Sequence, residues 1–279
     1  MVAHKRPTRA LFWTLVLVIT VACGLAQAGP KKGVAIGQVT DRSGIKLASL
    51  HVGWYYNWTL RPSSLSSRHC FVPMYWGKRG QLATLKQTQP EWSPMLLVYN
   101  EPDFARQSNR TVDEVLQEWP DLLQFTERIS APAAGRPFDP WMREFMTRAK
   151  DAGTRLDVLP VHWYGAPDSK KFLAFLDKLH ALYGLPMWIT EFAVADWHSS
   201  KYGSTNRFTQ VDVVRFIEEV LPELENREYV QRYAWLVADT TKESLRPSLL
   251  FDSSGRLTTV GQAYAAFGAS EGCGNVREP

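Results

Sequence analysis

The residues best suited to chemistry in this sequence are two glutamates, each at the end of a short apolar run. Glu101 follows Met95-Leu-Leu-Val-Tyr-Asn100 and precedes Pro102-Asp103; Glu191 closes Pro186-Met-Trp-Ile-Thr190. Both runs are short enough for buried strands. Pro102 cannot donate to a ladder and biases its predecessor away from the helical region, so Glu101 is expected to be the last extended residue of its strand. A single Glu before Pro is more often a surface carboxylate in a turn. Two such groups brought together suit glycosidic cleavage, in which one protonates the leaving oxygen while the other attacks or stabilises an oxocarbenium-like carbon.

Other apolar runs end in a similar way. One closes on Trp54-Tyr-Tyr-Asn-Trp58, another on Met74-Tyr-Trp76, a third on His162-Trp-Tyr164 and a fourth on Ala234-Trp235. Flat indole faces stack on sugar rings. For any one of these tryptophans core filling is the more ordinary role, but six strand ends carrying aromatics, amides and carboxylates favour a site. His162 alone is more often a packed or supporting residue, and no His-x-His or His-x-x-x-His pair accompanies it, so neither a metal nor another cofactor is expected. The one Gly-x-Ser-x-Gly match, Gly268-Ala-Ser-Glu-Gly272, follows the last helix with no strand before it, which excludes a nucleophile elbow. Two glycosylation patterns, Asn57-Trp-Thr59 and Asn109-Arg-Thr111, fall on the candidate site and on a helix cap.

The elements that must position these groups alternate along the chain. Strands are expected at residues 33–36, 50–57, 70–76, 95–101, 128–132, 156–164, 186–191 and 231–237, with Pro160 forcing a bulge. Helices are marked by a capping box at Thr111 and Glu114, by Asp139-Pro140 with Gly153 beyond, and by apolar spacing over about 169–183, 209–219 and 260–267. Residues 193–207 read as a long polar loop. Mostly apolar strands alternating with helices mean an α/β fold with a parallel sheet. Eight strands in about 250 residues, without a Gly-rich phosphate turn, favour a single (β/α)8 TIM-type barrel. Glu101 and Glu191 then end strands four and seven and face each other across the barrel mouth.

The N-terminus reads as an export signal. Lys5, Arg6 and Arg9 precede an apolar run from Leu11 to Leu25, and Ala26-Gln27-Ala28 fits a cleavage site, so residues 1–28 are expected to be a signal peptide and 29–279 the barrel domain. A retained membrane anchor is the rival, and lipidation at Cys23 ranks last. Removing the leader's three basic residues from the 32 Lys and Arg leaves a net charge of about +1 against the 28 Asp and Glu. That removes the case for nucleic acid. Cys70 and Cys273 remain, and an oxidising compartment would permit them to pair. Secretion is the expected fate, with membrane contact only through a retained leader.

Five motifs in order, Trp54-Tyr-Tyr-Asn-Trp58, Val72-Pro-Met74 with Gly77, Asn100-Glu-Pro-Asp103, His162-Trp-Tyr-Gly165 and Trp188-Ile-Thr-Glu-Phe192, resemble glycoside hydrolase family 128, whose members are β-1,3-glucanases on a clan A barrel. The resemblance spans about residues 32–235. It implies Glu101 as general acid/base and Glu191 as nucleophile, with Asn100 holding the sugar 2-hydroxyl, Tyr164 hydrogen-bonding Glu191 and Trp235 flooring the cleaved subsite. Trp54, Tyr56, Trp76 and Trp163 would wall the subsites, and His162 would join the substrate-binding set. Strand one departs from the family in ending at Ala35-Ile36-Gly37, where a larger group is expected. Retention would place the carboxyl groups about 5 to 5.5 Å apart. Two alternatives stay open: a secreted carbohydrate-binding protein on a glycosidase scaffold, and another clan A β-glycanase.

Overall fold

The computed structural model describes residues 31–37, 47–62, 70–88, 93–238 and 241–268. The leader and Cys273 lie outside the described residues, and so does any pairing of Cys70 with Cys273. Parallel strands β1 (Lys32–Ile36), β2 (Trp54–Tyr56), β3 (Cys70–Phe71), β4 (Met74–Tyr75), β5 (Ser93–Asn100), β6 (Thr126–Ala133), β7 (Leu159–Gly165), β8 (Met187–Val194) and β9 (Val230–Val237) make the staves of a barrel.

β3 and β4 are one stave broken at Val72-Pro73. Its first half bonds β2, with Val72 N donating to Tyr55 O at 3.0 Å, and its second half bonds β5, with Leu97 N donating to Pro73 O at 3.0 Å. β6 and β7 meet through a parallel bridge at Ser130 and Val158, where Ala131 N donates to Val158 O at 2.8 Å. β9 pairs with β1, which closes the ring. β5, which leads into Glu101, and β8, which carries Glu191, are therefore the fourth and seventh staves. The fold is the expected α/β barrel, and β1 is present where the numbering needs it.

Helices α1 (Gln81–Thr88), α2 (Val112–Leu122), α3 (Pro140–Asp151), α4 (Ser169–Tyr183), α5 (Trp197–Tyr202), α6 (Gln210–Asn226) and α7 (Thr259–Ala266) accompany the strands. Thr111 and Glu114 form the expected capping box on α2, each side chain accepting from the other's backbone N–H. α6 runs past residue 219, because buried Val220, Leu221 and Leu224 continue its apolar stripe through Pro222. The loop read as polar contains α5, started by Asp196, whose side chain accepts from His198 N. Strand two is shorter than expected, and Leu50 and His51 before it lie in a turn.

Alternation along the strands separates two apolar layers. Ala35, Trp54, Tyr56, Met74, Met95, Leu97, Trp188 and Ala234 fill the barrel interior. Val34, Tyr55, Val98, Val161, Trp163, Phe192 and Trp235 face outward and pack with Phe172, Phe216 and Tyr264 of the helices. Gly33 is required by one interior contact, since a Cβ there would lie 2.4 Å from the Trp54 indole nitrogen.

Bulges interrupt this alternation where the site is built. Pro160 shifts the β7–β8 register, as expected. On β5 the register with β6 slips on either side of Val98, opposite Pro132, and Ser130 Oγ accepts from Val98 N at 3.0 Å.

Candidate active site

Glu101 is not the last extended residue of its strand. β5 ends at Asn100, and Glu101 adopts φ +42°, two residues after Tyr99 at φ +51°. The restriction that Pro102 places on its neighbour is met in the left-handed region instead of the extended one. Backbone bonds hold the turn: Asn100 N donates to Trp76 O at 3.1 Å, Glu101 N to Ala133 O at 2.8 Å, and Arg110 N to Pro102 O at 3.0 Å. Asp103 clamps the neighbouring loop by accepting from Gly135 N and Arg136 N, both at 2.8 Å.

Beneath this turn, Tyr75 and Tyr99 donate to Glu118, which pairs with the buried Arg110 guanidinium at 2.6 Å. Arg110 also donates to Gly77 O at 3.1 Å, which fixes the backbone beyond Trp76. Removing Glu118 would be destabilising, because it would leave the buried Arg110 charge without this partner.

The two glutamates meet across one imidazole. His162, fully enclosed on β7, has Nδ1 3.1 Å from Glu101 Oε1 and Nε2 3.4 Å from Glu191 Oε1, the latter without hydrogen-bond geometry. Glu191 is buried and held by donors: Tyr56 OH and Trp58 Nε1 on Oε1, each at 2.8 Å, and Tyr164 OH on Oε2 at 2.5 Å. Burial and the Glu191 charge push both phenols well above their ordinary range, so they remain protonated donors. A cleft of about 930 Å3 opens over these groups, lined also by Gly37, Trp76, Asn100, Phe104, Gln107 and Trp197.

Burial alone would lower the His162 pKa, but the charge of Glu191, the hydrogen bond to Glu101 and the charges of Glu101 and Asp103 outweigh it, and the net shift is upward from 6.5. Stability from this shift is fully present below the unfolded value and is lost as pH rises through the higher native one. Nitrogen NMR of the imidazole is expected to show it still protonated somewhat above pH 6.5; a ring that is neutral by pH 6 would contradict this environment.

The structure brings Asn100, Glu101, Trp76, His162, Tyr164 and Glu191 together at the cleft, with Tyr56 buried directly behind Glu191. Asn100 Nδ2 donates to Gln107 at 3.2 Å, while its buried Oδ1 has no partner among the described residues and is a bare acceptor at the cleft. Three expected wall or floor residues are elsewhere. Trp54 lies low in the barrel interior, its indole donating to Lys31 O at 2.9 Å. Trp163 points outward from β7 and stacks on Phe216 at 5.4 Å. Trp235 points outward from β9, donates to Ser248 O at 3.0 Å and packs on Phe192 and Tyr264.

The physical reason is parity in the last two cases: His162 and Tyr164 face inward, so Trp163 between them cannot, and Leu236 rather than Trp235 reaches the cleft. Trp54 faces inward but begins its strand, one layer below Tyr56, on which it stacks at 6.3 Å. Tyr56 is a fully buried donor to Glu191 rather than a wall.

Cleft residues that the sequence reading passed over include Trp197, 54% exposed at the rim, with its indole 3.4 Å from Tyr164 O. A lone tryptophan in an otherwise polar loop was the signal available for it. Asp196, buried under the Arg207 guanidinium at 2.6 Å and held well below the usual carboxylate range by it, anchors that loop. Asn57 is buried inside its own turn, where its side chain bonds Thr59 and Arg61, so its glycosylation pattern is spent on structure.

Residues 33–264 match the family model described as a glycosyl hydrolase catalytic core. Among solved structures, the chain is 30% identical to a subgroup I endo-β-1,3-glucanase of glycoside hydrolase family 128 from Amycolatopsis mediterranei, in complex with laminaritriose, with a TM-score of 0.71 over 85% of this chain and 99% of that one. It shares the fold of a subgroup VII oligosaccharide-binding protein of that family from Trichoderma gamsii, at 22% identity and a TM-score of 0.68, over 85% of this chain and 93% of that one. It is also 28% identical, over 224 residues and 76% of its length, to alkali-sensitive linkage protein 1 of Schizosaccharomyces pombe, of which it spans 40%. With a catalytic-core match over most of its length and solved relatives covered nearly end to end, the chain belongs to glycoside hydrolase family 128.

Proposed function

We propose that this protein is a secreted, retaining hydrolase of β-1,3-glucan. The observation that carries the reading is the pair of carboxyl groups on one buried imidazole, one of them fixed by three donors, at the base of an aromatic cleft. Glu191 attacks the anomeric carbon while Glu101 protonates the leaving glycosidic oxygen; Glu101 then takes a proton from the water that hydrolyses the glycosyl ester. Asn100 Oδ1, without a protein partner among the described residues, accepts from a sugar hydroxyl beside Glu191. Trp58, Trp76 and Trp197 offer the faces against which sugar rings lie.

Laminari-oligosaccharides occupy the related solved enzyme, which supports β-1,3-linked glucose as the unit bound here. Gly37, just beyond the first stave, lines the cleft without a side chain of its own. Residues 1–28 act as the export leader in this reading, and residues 29–279 form the mature enzyme. Purified residues 29–279 are expected to release reducing ends from laminarin much faster than from β-1,4-mannan or β-1,4-glucan. Preference for either β-1,4 polymer would overturn the substrate assignment.

A further inference from the structure

Trp58 adopts φ +60°, a conformation that residues with a side chain seldom occupy, and the turn around it is built to keep it there. Asn57 Oδ1 accepts from Thr59 N at 3.2 Å and Thr59 Oγ1 at 2.9 Å, and Asn57 Nδ2 donates to Arg61 O at 3.1 Å. Met74 N donates to Thr59 O at 2.8 Å, which ties the turn to the third stave. The product of this arrangement is an indole N–H placed 2.8 Å from Glu191 Oε1.

That bond makes the two oxygens of Glu191 unequal. An ionised carboxylate oxygen offers two lone-pair sites. On Oε1, Tyr56 and Trp58 fill both; on Oε2, among the described residues, only Tyr164 donates, so one site stays open. We propose that Trp58 is a positioning residue which saturates Oε1 and leaves Oε2 as the atom that attacks the sugar.

This assignment rests on reading Glu191 as the nucleophile. The open lone pair of Oε2 forms the bond to the anomeric carbon; the bond from that carbon to the glycosidic oxygen breaks, its electron pair stays on that oxygen, and the oxygen takes the proton of Glu101. Oε1 becomes the carbonyl oxygen of the ester and keeps both donors. In the second step the oxygen of water bonds to the anomeric carbon, its proton passes to Glu101, and the electron pair of the broken bond returns to Oε2.

The same ring faces the cleft, so a stacking platform is the competing role. The two roles separate in steady-state kinetics: a platform acts on KM, whereas an N–H on the nucleophile acts on kcat. Trp58→Phe keeps an aromatic face, though a smaller one, and removes the N–H. On laminarin its kcat is expected to fall about 10- to 100-fold, in line with loss of a charge-assisted hydrogen bond, with KM within about threefold of wild type.

An aryl β-glucoside with a good leaving group should show a comparable loss, because attack by Glu191 is still required. Asn57→Ala keeps the indole but releases its turn, and kcat is expected to fall in the same direction. A Trp58→Phe kcat within twofold of wild type would overturn the proposal, whether or not KM rises. Should Trp58→Phe fail to fold, as judged by circular dichroism, an unchanged kcat in folded Asn57→Ala overturns it instead. An inactive wild-type chain would defeat the functional reading beneath it; an active wild type with an unaltered variant defeats this inference alone.

Discussion

Glu191→Gln is expected to abolish turnover of laminarin, a loss on the order of 10^4-fold or more for a group acting as nucleophile, while leaving glucan binding intact. The fold has no reason to fail. The Gln amide oxygen can take the place of Oε1 and accept from Tyr56 and Trp58, and its NH2 then faces the Tyr164 hydroxyl, which can rotate to accept. What is lost is the negative charge that the proposed mechanism uses to attack the anomeric carbon. Turnover by the purified variant and binding of laminari-oligosaccharides by calorimetry check both halves. Activity near wild type would remove Glu191 from the mechanism.

Glu101→Gln is expected to slow hydrolysis of natural glucan by at least about a hundredfold, the usual size of general acid help. Its backbone is fixed by the bond from Glu101 N to Ala133 O and the bond from Phe104 N to Glu101 O and does not depend on the carboxyl group, and a Gln oxygen can still face His162 Nδ1. A substrate whose leaving group departs without a proton should lose much less in the first step. Comparing laminarin with an aryl β-glucoside of low leaving-group pKa measures the difference. Equal losses on both would count against Glu101 as the acid.

The barrel was legible because its signals are local and repeated. Apolar runs marked the staves, the Thr111–Glu114 box and Asp139-Pro140 marked helix starts, and Pro160 marked a bulge. The glutamate pair followed from counting staves, since β1 is short but present. What the sequence concealed was depth and facing. Trp163 and Trp235 stand beside inward residues on their strands, and a one-residue difference in parity sends an indole into the helix layer instead of the cleft.

Facing was hard to count on β5 as well, because Tyr99 and Glu101 both leave the extended region just where the site begins. The donor role of Trp58 was hidden for a related reason: no periodicity reports a left-handed residue held by an Asn57–Thr59 turn, and the same three residues read more readily as a glycosylation pattern. His162 was weak as a lone histidine and gained meaning only when the fold set a carboxylate at each ring nitrogen.

The most direct test of the central claim, that Glu101 and Glu191 act as acid and nucleophile in a double displacement on β-1,3-glucan, is proton NMR of a fresh laminarin digest. The new reducing ends are expected to appear first as the β-anomer and to reach the α/β equilibrium only later by mutarotation. First appearance of the α-anomer would contradict the claim, and so would a chain that binds laminarin and releases no reducing ends.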